Sequence, residues 1–145
     1  MTVVEPRIAI VGAGPAGIYA ADILLGRVPN AVIDLFEKLP APYGLVRYGV
    51  APDHPRIRKI TDALNEVLVN PRIRLRCNVE IGVDVGIDEL RAAYDGVIVA
   101  TGADLDVALD IPGIDLPGSF GAADCVAWYD GHPDAPRTWP LTAET

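Results

Sequence analysis

Cysteine is scarce in this sequence, which contains only Cys77 and Cys125 among its 145 residues. The two lie far apart, and neither belongs to a CxxC pair or stands at metal-ligand spacing from a histidine. This pattern excludes a redox dithiol and a zinc site of the usual kind. We therefore interpret both cysteines as ordinary buried thiols and expect no metal centre.

Long apolar runs and a leader segment are also missing. No run approaches the roughly 20 apolar residues that a bilayer-spanning helix needs. Residues 1–6 have neither the basic start nor the apolar core of a secretory signal. Half of all residues are apolar and 22% are charged, which is typical of a folded α/β protein. We expect a cytoplasmic protein that does not bind membranes.

Basic residues are outnumbered, with 12 Lys and Arg against 20 Asp and Glu and a net charge of -8. Such a balance argues against general affinity for nucleic acids. The charge is uneven, however. Residues 47–76 contain seven basic and three acidic side chains, a local net of +4.

The chain alternates between strand and helix patterns. Arg7–Val11 is rich in β-branched apolar residues, as a central parallel strand should be. A helix at 16–25, ending at Gly26, and a strand at 31–36 complete a βαβ unit. The pattern further predicts a Pro- and Gly-rich loop at 39–55, a helix at 57–68, short strands at 72–76 and 78–81, a helix near 88–93, a strand at 96–100, an irregular stretch at 104–120 and a helix near 122–129.

The most informative local motif is a GxGxxG turn placed directly between the first strand and the first helix. Its residues are Gly12, Ala13, Gly14, Pro15, Ala16 and Gly17. The first glycine permits a tight turn, the second lets the main chain approach a pyrophosphate, and the third lets the helix pack close to the strand. Free N–H groups and the helix dipole then favour phosphate. The motif predicts a dinucleotide site.

Glu37 lies 20 residues beyond Gly17, at the end of the second strand. A carboxylate there can accept both ribose hydroxyls of an adenosine, and it would repel a 2′-phosphate. The site should therefore hold FAD or NAD and not NADP, and we include the neighbouring Lys38 as a candidate contact. The turn Ala100, Thr101 and Gly102 resembles the "ATG" signature of two-dinucleotide flavoproteins, which favours FAD.

The loop at 42–55, which reads PYGLVRYGVAPDHP, is the most specific segment of the chain. It resembles the corresponding segment of adrenodoxin reductase-like ferredoxin-NADP reductases. The resemblance extends from Arg7 to Pro133 through the segments at 77–82, 94–97, 110–113, 116–118 and 128–133. It implies an α/β, Rossmann-like FAD-binding fold with a parallel sheet, flanking helices and a small β element.

The resemblance also implies roles for single residues. FAD would contact Ala16 near the pyrophosphate, Glu37 at the ribose and Ile81 at the adenine. Leu45 would lie against the flavin side, with the backbone of Gly44, Leu45 and Val46 close to the isoalloxazine. His54 can exchange protons near neutral pH and is a candidate catalytic residue, but the Asp53-His54-Pro55 sequence equally fits the entry to a helix.

The same resemblance places the chain within a larger enzyme. Residues 1–130 would form the N-terminal FAD-binding segment, and residues 131–145 a linker toward an NADP-binding domain that this sequence lacks. Such an enzyme passes electrons from NADPH through FAD to a ferredoxin-type iron-sulfur protein, and the basic segment at 47–76 could steer that acidic partner. We expect this chain alone to have little reductase activity.

Three other readings remain open on the sequence alone. The chain could be a non-catalytic module that binds FAD or an adenine nucleotide and packs on a partner chain. It could be an NAD-dependent dehydrogenase domain, against which the "ATG" turn and the loop at 42–55 argue. It could also resemble the electron-transfer subunit of glutamate synthases, although the iron-sulfur cysteines usual in those subunits are missing here.

Overall fold

The computed structural model of the chain describes residues 5–51, 53–103, 106–107 and 109–140. Pro52, in the predicted loop, and Asp104, Leu105 and Ala108, in the predicted irregular stretch, lie outside the described residues, as do positions 1–4 and 141–145. The elements in chain order are β1 (Arg7–Val11), α1 (Pro15–Arg27), β2 (Val32–Glu37), α2 (Leu45–Tyr48), α3 (Pro55–Arg58), α4 (Ile60–Leu68), β3 (Ile73–Cys77), α5 (Ile87–Ala93), β4 (Gly96–Val99) and α6 (Ala122–Tyr129).

The four strands form one parallel sheet in the order β3-β2-β1-β4. Strand β1 is central, and in its register Ile10 lies beside Leu35 of β2 and Ile98 of β4. The carboxyl ends of the strands therefore meet at one edge of the sheet. The predicted α/β class with a parallel sheet and flanking helices is confirmed.

An apolar core on one face of the sheet holds the strands and two of the helices together. Helices α1 and α4 cover that face, where Ile10, Ile33 and Leu35 pack with Ile18 and Leu64 at 0% exposure. Helix α5 lies on the opposite face, where a smaller cluster includes Ala9, Val11, Phe36 and Leu90. Burial on both faces accounts for the continuous apolar character of β1 and β2.

The second face of the sheet contains a buried carboxylate, that of Asp34, which is paired with two arginines and a tyrosine. Asp34 is 2% exposed, and its carboxylate accepts a hydrogen bond from the Tyr94 hydroxyl at 3.1 Å. Arg7 and Arg76 make ion pairs with the same carboxylate at 3.5 and 3.4 Å. Burial, together with the neighbouring Asp34 charge, raises the pKa of Tyr94. The buried carboxylate is thus paired rather than isolated, as a buried charge requires.

Several predicted boundaries were wrong. Gly26 does not end α1 but lies inside it, because the helix continues to Arg27. The predicted helix at 57–68 begins earlier, at Pro55, and is interrupted at Lys59. There the Lys59 carbonyl accepts a hydrogen bond from the N–H of Asp62, three residues further on. The predicted loop at 39–55 contains the one-turn helix α2.

The predicted strand at 78–81 is not a continuous strand, because Asn78 lies in a bend and only Ile81 makes a bridge. Asn78 has a φ of 56°, which breaks the extended conformation directly after β3. Ile81 makes a single parallel bridge with Val85, and this bridge takes the place of the expected small β element.

Residues 131–140 run back along α6. Trp139 stacks near Trp128 at 5.8 Å and near Phe120 at 5.0 Å between ring centroids. Trp128 therefore packs against another part of this chain. Within the described part of the chain, no helix has the length and apolar character required to cross a bilayer.

Candidate nucleotide-binding site

A cleft lies at the carboxyl ends of β1, β2 and β4. Its volume is about 530 Å³, within the range of small-molecule sites. The chain leaves β1 toward β2 on one side, while β4 joins β1 on the other. In open parallel sheets, ligands bind at this kind of switch point beyond the carboxyl ends of the strands.

The glycine-rich turn forms the floor of the cleft and leaves no room for side chains at two positions. Gly12 has a φ of 104°, and a Cβ there would lie 2.3 Å from the Ala100 carbonyl oxygen. A Cβ on Gly17 would lie 1.9 Å from the Gly12 carbonyl oxygen. Glycine at these two positions is therefore required for the turn to pack between β1, α1 and the end of β4.

Gly14 differs from the other two glycines because it faces open space. No atom lies within 4 Å of the position that its Cβ would take. Gly14 caps α1 and Pro15 is its first residue. Within the described residues, no acceptor pairs with the N–H groups of Gly14 and Ala16. These groups and the positive end of a 13-residue helix are available to an anion.

Glu37 ends β2 beside this turn and is only 7% exposed. One carboxylate oxygen accepts the Ala13 N–H at 3.0 Å, and the other accepts the Leu39 N–H at 3.0 Å. Each carboxylate oxygen can accept a second hydrogen bond, and Glu37 lines the cleft. The side chain therefore fixes the glycine-rich turn and still presents acceptor capacity to a ligand.

The loop after β2 supplies the opposite wall. Tyr43 N–H donates to the Ala13 carbonyl at 2.8 Å, which ties the loop to the turn. Gly44 has a φ of 50°, and its Cβ position lies 3.3 Å from the Gly14 Cα atom. Leu45, the first residue of α2, is 62% exposed at the cleft. A bulky side chain at position 44 would narrow the cleft where the loop passes close to Gly14.

The structure brings together almost all of the residues that the sequence nominated. Those that line the cleft are Gly12, Gly14, Pro15, Ala16, Glu37, Lys38, Gly44, Leu45, Val46, Ile81, Ala100, Thr101 and Gly102. Ala13 and Gly17 do not line it, because both are buried beneath the turn, where they support its backbone. That the lining residues contact a cofactor stays a prediction.

His54 is not brought to the cleft. Its Nδ1 atom pairs with Asp53 at 2.8 Å, and its side chain is 57% exposed. Its carbonyl accepts from Ile57 and Arg58 N–H at the start of α3, as expected of a residue that enters a helix. His54 therefore lies at the entry to a helix, and its catalytic role stays a prediction.

The structure also adds cleft residues that sequence reasoning missed, among them Tyr48 and His132. His132 belongs to the tail, which we define as residues 131–140 after α6. Its ring lies against the Tyr48 ring, with 5.1 Å between centroids. No local sequence signal links the two positions, because the contact depends on how the tail folds back over α2.

Other chemistry near the cleft is limited. Cys77 of β3 pairs in register with Glu37 of β2. Burial raises the pKa of the Cys77 thiol; the Glu37 charge raises it further, and the Arg47 charge opposes the rise. A higher pKa makes the thiol less reactive. Across the residues that the structure describes, no group of three His, Cys, Asp or Glu side chains is placed to hold a metal ion.

A parallel α/β sheet with a glycine-rich turn and a cleft at its carboxyl edge defines a Rossmann-like domain. No protein-family model matches the chain. Two curated relatives do: the mitochondrial NADPH:adrenodoxin oxidoreductase of Drosophila melanogaster, 45% identical over 134 residues, and the NADPH-ferredoxin reductase FprA of Mycobacterium leprae, 48% identical over 133. These matches cover 92% and 88% of this chain but 29% of each relative.

A solved structure agrees with these matches. FprA of Mycobacterium tuberculosis in complex with NADPH superposes with a TM-score of 0.85 and 46% identity, over 89% of this chain and 30% of FprA. The chain is therefore homologous to part of the adrenodoxin reductase and FprA-type NADPH-ferredoxin reductases. It spans less than a third of the length of these relatives.

The three glycines of α1 and its turn give a prediction about stability. We expect Gly17→Ala to lower the free energy of unfolding by about 2 kcal/mol or more, because its Cβ meets a backbone oxygen. Gly14→Ala should change it by no more than about 1 kcal/mol. Gly26→Ala, in open space at the other end of α1, is the control and should be neutral or stabilising by up to about 1 kcal/mol.

Urea denaturation followed by circular dichroism measures all three variants. Equal losses at Gly14 and Gly17 would show that the turn is not packed as described.

Proposed function

We propose that this chain binds FAD in the cleft at the carboxyl edge of the sheet, as the flavin-binding part of an NADPH-ferredoxin reductase. The observation that carries the proposal is the open approach at Gly14, which lines the cleft without a side chain and whose N–H group, like that of Ala16, has no acceptor among the described residues. The homology to reductases named for NADPH and for adrenodoxin or ferredoxin supports the enzyme class.

The residues present suit a dinucleotide with an adenosine half. The N–H groups of Gly14 and Ala16 would hold the pyrophosphate, as the start of a helix does for anions. Glu37 would accept the ribose hydroxyls with its remaining lone pairs, and Ile81 would lie beside the adenine. A 2′-phosphate would face the Glu37 carboxylate at close range, and this repulsion favours FAD over NADP in this cleft.

When bound, the flavin supplies the redox chemistry, accepting a hydride and releasing single electrons. The chain's own contribution is to bind and orient the cofactor and to limit its contact with water. NADPH oxidation and ferredoxin reduction are proposed for a protein that contains this chain together with the remainder of a reductase. We propose that the chain alone binds FAD without full turnover.

A binding experiment tests this proposal. Purified chain mixed with FAD should retain a flavin absorbance spectrum after gel filtration. ADP should compete with FAD, whereas ADP carrying a 2′-phosphate should compete at least about tenfold more weakly, because one extra charge beside Glu37 costs more than about 1.4 kcal/mol.

Gly14→Ala should weaken FAD binding by about tenfold or more, since its methyl group occupies the approach of the pyrophosphate. Gly26→Ala is the matched control on the same helix and should bind as the wild type does. An FAD affinity that is the same in Gly14→Ala as in the wild type would contradict the proposal. A yellow protein that stays inactive when the rest of a reductase is supplied would instead favour a non-catalytic FAD-binding module.

We further propose that the basic segment at 47–76 steers an acidic ferredoxin-type partner. Part of its charge is used internally, because Arg58 pairs with Asp130 and Arg72 donates to backbone carbonyls. The side chains of Arg56, Lys59 and Arg74 are exposed and, within the described residues, make no hydrogen bond or ion pair. Of these available side chains, Arg56 and Lys59 are neighbours along the chain, in α3 and directly after it.

Charge reversal at this surface gives a kinetic prediction. In a reductase that contains this chain, Arg56→Glu with Lys59→Glu should slow ferredoxin association several-fold at low salt and flatten its dependence on ionic strength. Arg27→Glu with Arg91→Glu makes the same change in net charge elsewhere and should have a smaller effect. Stopped-flow reduction at several salt concentrations measures both, and equal effects would contradict a localised steering surface.

A further inference from the structure

His132 lies where the nucleotide cleft opens into a second cavity of about 920 Å³. Both cavities are bordered by Leu45, Tyr48, Ala103 and His132, whereas Val79 and Ile81 border the cleft alone. Val79 and Ile81 belong to the end where the adenine is proposed to lie. His132 thus lies where the cleft meets the second cavity, on the side that Leu45, the residue predicted to lie against the flavin, also borders.

Two hydrogen bonds hold this histidine in place. Its backbone N–H donates to the Ala127 carbonyl at 2.8 Å, which anchors it to α6. Its ring Nδ1 atom accepts the Asp134 N–H at 3.1 Å. The Tyr48 ring packs against it at an interplanar angle of 65°. The imidazole is therefore oriented from the tail on one side and from α2 on the other.

The bond at Nδ1 determines the tautomer of the ring. A backbone N–H can only donate, so Nδ1 must offer its lone pair and cannot carry a proton. The neutral imidazole then carries its proton on Nε2. Over the described ranges, no acceptor within hydrogen-bonding distance pairs with this Nε2–H. A residue that lines the cleft consequently carries a ring N–H donor with unused capacity.

We propose that His132 is a flavin-side contact of the bound cofactor, with its Nε2–H donating to an acceptor on the ribityl or isoalloxazine half of FAD. That half carries hydroxyl and carbonyl oxygens, and it must extend past the glycine-rich turn, away from Glu37 and Ile81. The inference rests on the proposed FAD binding and adds a residue that discriminates FAD from nucleotides without a flavin.

The test compares FAD with ADP, which lacks the flavin half. His132→Ala should weaken FAD binding by about 3- to 10-fold, the effect of one lost hydrogen bond, and leave ADP binding unchanged. His132→Gln, whose amide can donate from a similar position, should recover most of the FAD affinity. Glu66→Ala, an exposed change on α4, is the control and should alter neither affinity. Titration calorimetry measures all of these affinities.

A second measurement needs no substitution. In chain labelled with ¹⁵N-histidine, the Nε2 resonance of His132 should shift when FAD is added and stay in place when ADP is added. An unchanged resonance with FAD, or an equal loss of FAD and ADP affinity in His132→Ala, would overturn the inference. If the wild-type chain binds neither ligand, the proposed function itself fails; if both bind and His132 does not respond, only this inference fails.

Discussion

The structure depends on one close approach of backbone to backbone. Gly12 passes between the ends of two strands, donating its N–H to the Phe36 carbonyl at 2.8 Å while its Cα faces the Ala100 carbonyl. Gly17 then lets α1 start directly above the Gly12 carbonyl. Because both neighbours are main-chain atoms, no side-chain rearrangement could relieve a clash there. The turn is thereby held in the one conformation that leaves Gly14 facing the cleft.

Glu37 couples this turn to the proposed ligand. Its carboxylate accepts one N–H from the turn and one from the start of the following loop, and it remains at the cleft surface. Buried carboxylates need such partners to offset lost hydration. The same group therefore serves the fold without a ligand and, under the proposed function, would also bind the ribose. A site assembled in this way is largely preformed, which reduces the ordering cost of binding.

Local sequence patterns predicted the parts of the molecule that depend on local chemistry. The apolar strands, the glycine-rich turn and α6 followed from residue type and periodicity. Contacts between distant segments did not follow. His132 reaches Tyr48 only because Trp139 and Trp128 hold the tail against α6. The positive φ of Asn78 and the interruption at Lys59 likewise arise from tertiary contacts and turn geometry that a single sequence does not display.

Homology relates the chain to part of the NADPH-ferredoxin reductases, and the geometry of the cleft supports a dinucleotide site at the carboxyl edge of its sheet. A crystal structure of this chain grown with FAD tests the central claim most directly. We predict a diphosphate within about 3 Å of the Gly14 and Ala16 N–H groups and an adenosine ribose hydrogen-bonded to Glu37. FAD bound away from the glycine-rich turn, or a Glu37 carboxylate that makes no contact with the ribose, would contradict it.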